Sequence, residues 1–241
     1  MVFKKKLNVV LLTTKTLHHR YFIKILEENK NNNVLVIYDV KKIKPKVKIG
    51  NIDLKKQLNF ERKKFFSNDS YRVKSLEYCF NNLESKKCLQ VLQKFNPNVG
   101  ITFGTRKISE KLINIFKGKI INIHRGLMTK YRGLDSEFWA CYHRDFKSIA
   151  TTIHYVNEFL DKGISIHTKK LVLKKGMKAY MLRYFTTLLA TKRINKVLRE
   201  INNAKRPKKK SQVHGRYYSF IPFEIKKIAY ENFDKYCSNL K

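Results

Sequence analysis

No apolar run in this 241-residue chain approaches the roughly 18 residues that a bilayer span requires, which sets membrane insertion aside. The stretch from Met1 to Leu12 joins a charged head to a short apolar run but lacks a small-residue cleavage site. It reads as a first core strand and not as a signal peptide. No cysteine pair stands at C-x-x-C. The four cysteines (Cys79, Cys88, Cys141 and Cys237) are scattered, as expected for reduced core residues in a cytoplasmic protein. No G-x-G-x-x-G follows the first strand, where the turn reads Thr14-Lys15-Thr16-Leu17-His18-His19-Arg20, so a dinucleotide site of the usual kind is not expected there. Acidic residues are scarce: 18 Asp and Glu face 53 Lys and Arg, for a formal charge of +35. Such a field attracts anions, nucleic acid among them. Yet no nucleic-acid motif accompanies it, and lysines are spread along the chain with runs only at residues 4–6 and 208–210. Compositional drift toward Lys and Asn, visible at residues 29–33, plus capture of small anions is the expectation. Internal repeats and long low-complexity linkers are also absent.

What is present describes a folded chain: 43% of residues are hydrophobic and 12% aromatic, enough for one large domain with or without a small appendage. Residues 6–13 form a continuous apolar run suited to a strand buried on both faces. Helical spacing over 17–28 and a second strand at 34–40 follow. This order predicts an α/β fold with a Rossmann-like, mostly parallel sheet. Residues 41–60 read as polar and irregular, and 73–94 as a helix stopped by Pro97. Strands are expected at 99–104, 120–124, 149–156 and 164–173, and helices at 108–116 and 136–142. Past Gly176 the texture changes to a long helix over 177–203, a break at 204–211, a short β segment at 215–220 and a final helix from Pro222. Residues 1–175 therefore read as one α/β domain and 176–241 as a C-terminal helix and β-hairpin extension suited to dimerisation.

The chemistry-bearing pattern is Asn122-Ile123-His124, followed 37 residues after the histidine by Asp161. Side chains at i and i+2 of a strand share a face, so a neutral amide stands beside an imidazole. A carboxylate from a later loop could fix the ring's tautomer, and the three together suit acyl transfer. Metal binding is not expected, because His143, His154 and His167 lack ligand spacing. Trp139 reads as core.

With Tyr131-Arg132-Gly133, Thr151-Thr152-Ile153-His154-Tyr155 and Leu160-Asp161-Lys162-Gly163 in the same order, residues 98–173 resemble the N10-formyltetrahydrofolate-dependent formyltransferases. That family writes the region as N-x-H, YRG, a helix, VTIH and D-x-G. The wording from Tyr131 to Ala140 is most similar to the branch that formylates amino groups on nucleotide-linked sugars. One departure is plain: Arg125-Gly126-Leu127-Met128-Thr129 replaces the family's Ser-Leu-Leu-Pro type loop. The resemblance implies that Asn122 steadies an oxyanion, His124 moves a proton and Asp161 stabilises the imidazolium. It places the donor, N10-formyltetrahydrofolate, against Phe103, Gly104, Thr105, Arg106 and Ile108, with Asn157, Glu158 and Phe159 opposite. Tyr131, Arg132 and Gly133 would shape the active-site loop. The nucleotide end is expected beyond the strand carboxyl ends, near Lys15, His19 and Arg20. Arg216, Tyr217 and Tyr218 would grip a pyrimidine or form a dimer edge. The implied substrate is a nucleotide-linked amino-dideoxy sugar such as dTDP-4-amino-4,6-dideoxyglucose, for O-antigen or other surface polysaccharide. Methionyl-tRNA and glycinamide ribonucleotide are the alternative acceptors; the short tail argues against the first and the 131–140 wording against the second. A non-catalytic, basic nucleic-acid-binding protein on the same fold is the alternative of another class.

Overall fold

The computed structural model describes residues 6–41, 44–67, 71–157, 161–203 and 213–241. Glu158, Phe159 and Leu160, the lysine run at 208–210 with the break around it, and Lys4 and Lys5 lie outside the described residues.

Strand β1 (Leu7–Thr13) carries Val9, Val10, Leu11 and Leu12 with no exposure, as an apolar run in the middle of a parallel sheet requires. Around it the chain alternates strand and helix: α1 (Leu17–Glu28), β2 (Asn32–Asp39), α2 (Leu54–Phe66), β3 (Leu76–Phe80), α3 (Lys86–Phe95), β4 (Val99–Phe103), α4 (Glu110–Ile115) and β5 (Ile120–His124). Then come β6 (Tyr131–Gly133), α5 (Ser136–Tyr142), β7 (Ala150–Tyr155), β8 (Ser165–Lys170), α6 (Leu182–Asn203), β9 (Arg216–Tyr218) and α7 (Phe223–Ser238). The main sheet has seven strands in the order β3-β2-β1-β4-β5-β7-β8. Its pairs are parallel from β3 to β5; β7 runs antiparallel to both β5 and β8.

Two segments depart from the expectation. Residues 73–94 are not one helix but edge strand β3 followed by α3. Asn82 Oδ1 accepts from the Glu84 N–H, and Ser85 caps α3 by accepting from the Cys88 N–H at 3.3 Å. Such local side-chain bonds compete with helix continuation. Residues 41–60, read as irregular, contain the first turns of α2. Its inward face carries Gln57 and Glu61, which mask the apolar stripe; Arg183 of α6 meets Glu61 with two hydrogen bonds at 2.6 and 2.7 Å. Cys79 also differs from expectation: it is exposed on β3, whereas Cys88, Cys141 and Cys237 are buried.

The chain beyond 176 is packed into the same core as the early strands. Ala190, Ile194, Val197, Leu198 and Ile201 of α6 cluster with Val9, Leu11, Phe22, Ile101 and Ile153. Each of the Val, Leu, Ile and Phe side chains among them contributes about 1.5–3 kcal/mol on full burial. Helix α7 covers α5 through Ala229, Tyr230, Phe233 and Cys237. The short tail strand β9 does not fold back as a hairpin; it pairs in parallel with β6, Tyr131 to Gly133 against Arg216 to Tyr218. Thus the tail reaches the loop that follows the Asn122–His124 strand. Among the described residues no helix is long and apolar enough to cross a membrane.

Candidate active site

Strand β5 presents Asn122 and His124 two residues apart, and its antiparallel neighbour β7 sets His154 directly opposite Asn122. The β7–β8 ladder is irregular between Ile153 and His154, a bulge of the kind that re-aims a side chain. Asp161 completes the group from the loop after β7, in a left-handed conformation (φ 48°) that aspartate tolerates better than most residues.

The hydrogen bonds set the protonation pattern. His124 Nε2 lies 2.9 Å from the Tyr131 carbonyl, which only an N–H can satisfy, so Nε2 carries a hydrogen. Its Nδ1 faces Asp161 Oδ2 at 3.5 Å, where a proton on Nδ1 would be met by a carboxylate. His154 Nδ1 donates to the Tyr155 carbonyl at 2.8 Å, leaving Nε2 to accept from Asn122 Nδ2 at 3.1 Å. Asn122 Nδ2 also donates to Asp161 Oδ1 at 3.1 Å, while Asn122 Oδ1 accepts from the Thr102 hydroxyl at 2.8 Å. The amide is therefore oriented from three sides, and donating to a ligand means exchanging one of its two internal bonds. Asp161 also accepts the Gly133 N–H at 2.8 Å. Burial by itself would raise the Asp161 pKa, but positive charge on the facing His124 and His154 rings, together with that N–H, outweighs it and holds the carboxyl well below its usual range. The site thus keeps an anion beside the His124 ring.

Glycines give these groups room. A Cβ on Gly126 would strike His124 Nε2 and come within 2.7 Å of Ser136 Cβ. A Cβ on Gly133 (φ 90°) would meet the Tyr218 carbonyl, and one on Gly163 the Tyr155 carbonyl. Both are close backbone approaches that only glycine permits.

Asn122, His124, His154 and Asp161 line a cavity of about 600 Å³. Phe103, Gly104, Thr105, Arg106, Ile108 and Asn157 line it too, with Phe103 and Ile108 serving as core and wall at once. Arg106 is held by Asp39 through hydrogen bonds of 2.9 and 2.6 Å, and that partner raises its pKa. Tyr131 offers its carbonyl to His124 and is not among the lining residues.

The residues expected at a nucleotide end are dispersed. Tyr217 lines the cavity. His19 lines it as well, but burial lowers its pKa to about 3 and its Nδ1 bonds the Thr14 carbonyl at 2.9 Å; a neutral, committed imidazole is no phosphate cation. Lys15 places its ammonium over the Tyr38 ring, 5.0 Å from the centroid. Arg20 turns away to the Tyr71 carbonyl and lies near the Phe66 and Tyr71 rings. Arg132 Nε donates to the Gly215 carbonyl at 2.6 Å, bracing β6 against β9. Tyr218 belongs to an aromatic group with Tyr131, Trp139 and His143, and the Arg216 guanidinium sits over its ring at 5.6 Å. Trp139 is half-buried there and donates its indole N–H to the Ser219 carbonyl. Sequence reasoning gave His154 no chemical role; its pairing with Asn122 across two adjacent strands was the available signal. It also passed over His18, Arg125 and Glu137, which line the cavity. Among the described residues no group of three or more His, Cys, Asp or Glu is arranged to hold a metal ion.

Comparisons with known proteins place the chain among formyltransferases. Methionyl-tRNA formyltransferase of Finegoldia magna is 27% identical over 119 residues, which is 48% of this chain and 38% of that protein. Phosphoribosylglycinamide formyltransferase of Haemophilus influenzae is 36% identical over 93 residues, 38% of this chain and 43% of that protein. The matches therefore span less than half the length of these curated relatives. Among solved structures, a Shewanella sugar N-formyltransferase has a TM-score of 0.62 at 14% identity, covering 94% of this chain and 87% of its own. A 4-N formyltransferase from Francisella tularensis has 0.59 at 19%, covering 93% and 87%. At such identities the likeness establishes the fold. The family described as formyl transferase matches residues 6–182, which takes in the sheet, the Asn122–His124 strand and the Asp161 loop, and the chain belongs to that family.

Proposed function

We propose that this protein moves the formyl group of N10-formyltetrahydrofolate to the amine of a nucleotide-linked amino-dideoxy sugar, with dTDP-4-amino-4,6-dideoxyglucose as the specific candidate. The observation that carries the reading is the Asn122–His124–His154–Asp161 cluster on the wall of a cavity that also exposes main chain at Gly104. The donor supplies the formyl carbon; Phe103, Gly104 and Ile108 offer an apolar and main-chain wall for its ring system, with Asn157 and the D-x-G loop across from it. As the amine nitrogen bonds to that carbon, Asn122 donates to the developing oxyanion, the kind of contact whose loss costs roughly 10²–10³ in rate. His124 takes the proton shed by the amine and returns it to the departing folate nitrogen. Asp161 lowers the cost of the transient imidazolium. The Thr102 hydroxyl donates to Asn122, and His124 faces the Tyr131 carbonyl and Asp161 instead of a hydroxyl or thiol, so we read transfer as direct, with no acyl-enzyme.

The rest of the reading follows from substrate chemistry. Both ligands are anionic, and the charge of +35 favours their capture. We place the protein in the cytoplasm, in synthesis of a surface polysaccharide such as O-antigen, and assign residues 176–241 a role in a homodimer. Glycinamide ribonucleotide is the second reading, favoured by the Haemophilus relative. Incubation with N10-formyltetrahydrofolate and a panel of amino-sugar nucleotides, glycinamide ribonucleotide and methionyl-tRNA, following folate release, separates them. Release is expected with a sugar nucleotide, and His124→Asn or Asn122→Ala should abolish it with melting temperatures within a few degrees of wild type. Wild-type rates in either variant would remove the mechanism.

A further inference from the structure

One pair of charges in the cavity takes no part in the chemistry above. Arg125 directly follows His124, and Glu137 lies in the first turn of α5. Arg125 Nη1 approaches Glu137 Oε1 at 3.3 Å, with Glu137 2% and Arg125 24% exposed. Both atoms are buried and, among the described residues, they are the buried side-chain polar atoms that lack a hydrogen-bond partner. Charges kept in this state are costly, because attraction alone seldom repays their desolvation. Other pairs in the fold are satisfied: Arg183 makes two hydrogen bonds to Glu61, and Arg106 two to Asp39. The contrast marks Arg125 and Glu137 as groups whose partner arrives with a ligand.

Their position says which ligand. The donor wall is built from the segment between β4 and α4. Arg125 and Glu137 come instead from the loop after β5 and the start of α5, and they line the cavity together with Gly133 and Ser136. We infer that Arg125 and Glu137 recognise a hydroxyl of the acceptor, next to the amine that is formylated; this rests on the sugar reading above. An Arg125 N–H donates to the hydroxyl oxygen, and that hydroxyl donates to Glu137 Oε1. One oxygen about 2.8 Å from each atom fits a pair 3.3 Å apart. The substrate class is then an amino sugar with a free hydroxyl on the adjoining carbon. The amines of glycinamide and of an aminoacyl ester have no such neighbour, so the pair selects for sugar over those acceptors.

The test compares dTDP-4-amino-4,6-dideoxyglucose with its 3-deoxy analogue by kcat/KM at saturating N10-formyltetrahydrofolate. Sites built to bond a hydroxyl reject the analogue by up to about 10⁴-fold; a water taking the place of the missing hydroxyl softens this, and a preference of about 100-fold is expected. The double variant Arg125→Met/Glu137→Leu removes both charges together, a change that leaves buried pairs as stable or more stable. It should melt at or above the wild-type temperature and reduce the preference below about 5-fold. Glu137→Gln, which keeps the shape, should reduce it at least about 5-fold on its own. A lower melting temperature with the preference intact in the double variant would make the pair a bolt between α5 and the β5 loop and overturn the inference. Equal use of both sugars by wild type would overturn the hydroxyl assignment while sparing the sugar reading. No turnover of any amino-sugar nucleotide would remove both.

Discussion

Asp161→Asn isolates the electrostatic role of the carboxylate, because asparagine is nearly isosteric and also tolerates the left-handed backbone found there (φ 48°). The native carboxylate accepts the Gly133 N–H at 2.8 Å and the Asn122 amide at 3.1 Å, and it faces His124 Nδ1 at 3.5 Å and His154 Nε2 at 3.3 Å. An amide keeps one acceptor oxygen and turns an NH2 group toward donors, so one charge-assisted bond is lost and a donor–donor contact is gained. Hydrogen bonds to charged groups are worth about 1.5–3 kcal/mol, and a net loss of about 2–3 kcal/mol is expected. For a chain of this length that lowers the melting temperature by about 4–12 °C. The pH dependence has a fixed sign. The folded pKa lies below the ordinary 3.8, so the stabilisation is fully present above that value and is lost as pH falls toward the folded pKa. Melting curves of wild type and variant should run parallel between about pH 5 and 8 and converge below about pH 4. The rate of formyl transfer should fall by roughly 10³–10⁴, the scale on which a carboxylate supports a catalytic imidazole. Thermal melts across pH, with initial rates at pH 7, read all three quantities. A variant that melts within 1 °C of wild type, works within tenfold of it, or diverges further in acid would refute the reasoning.

Two other substitutions probe the supports of the site. Gly126→Ala puts a methyl group against His124 Nε2 and within 2.7 Å of Ser136 Cβ, so the ring must shift. Displacement of a reacting group by about 1 Å costs roughly 10² in kcat, and an unchanged kcat in steady-state assays would contradict the geometry. Glu61→Ala strips the buried partner from Arg183 and should cost about 3 kcal/mol by urea denaturation. A loss below about 1 kcal/mol would mean that α2 is not anchored to α6 by this pair.

Local chemistry decided what could be read in advance. The β1 run announced a central strand because four consecutive residues are sealed on both faces, and the i, i+2 spacing of Asn122 and His124 needs nothing beyond strand geometry. Helix α2 was hidden because its inward face holds Gln57 and Glu61, whose partner Arg183 lies 122 residues away from Glu61. The 73–94 stretch was misjudged because periodicity alone does not weigh the Asn82 and Ser85 side chains that end one element and cap the next. Around the cavity, Arg20 was a reasonable phosphate ligand by position after β1. The Phe66 and Tyr71 rings and the Tyr71 carbonyl that hold it elsewhere come from a distant segment, with Tyr71 itself 51 residues on. The pairing of β9 with the YRG strand, which brings Tyr217 to the cavity, is likewise a contact between distant segments.

The most direct measurement is the mass of dTDP-4-amino-4,6-dideoxyglucose after incubation with N10-formyltetrahydrofolate and the wild-type protein, set beside the same mixture with His124→Asn. The account predicts one added formyl group on the sugar amine in the first mixture and none in the second. An unchanged sugar with wild type, or equal formylation by the variant, would contradict it.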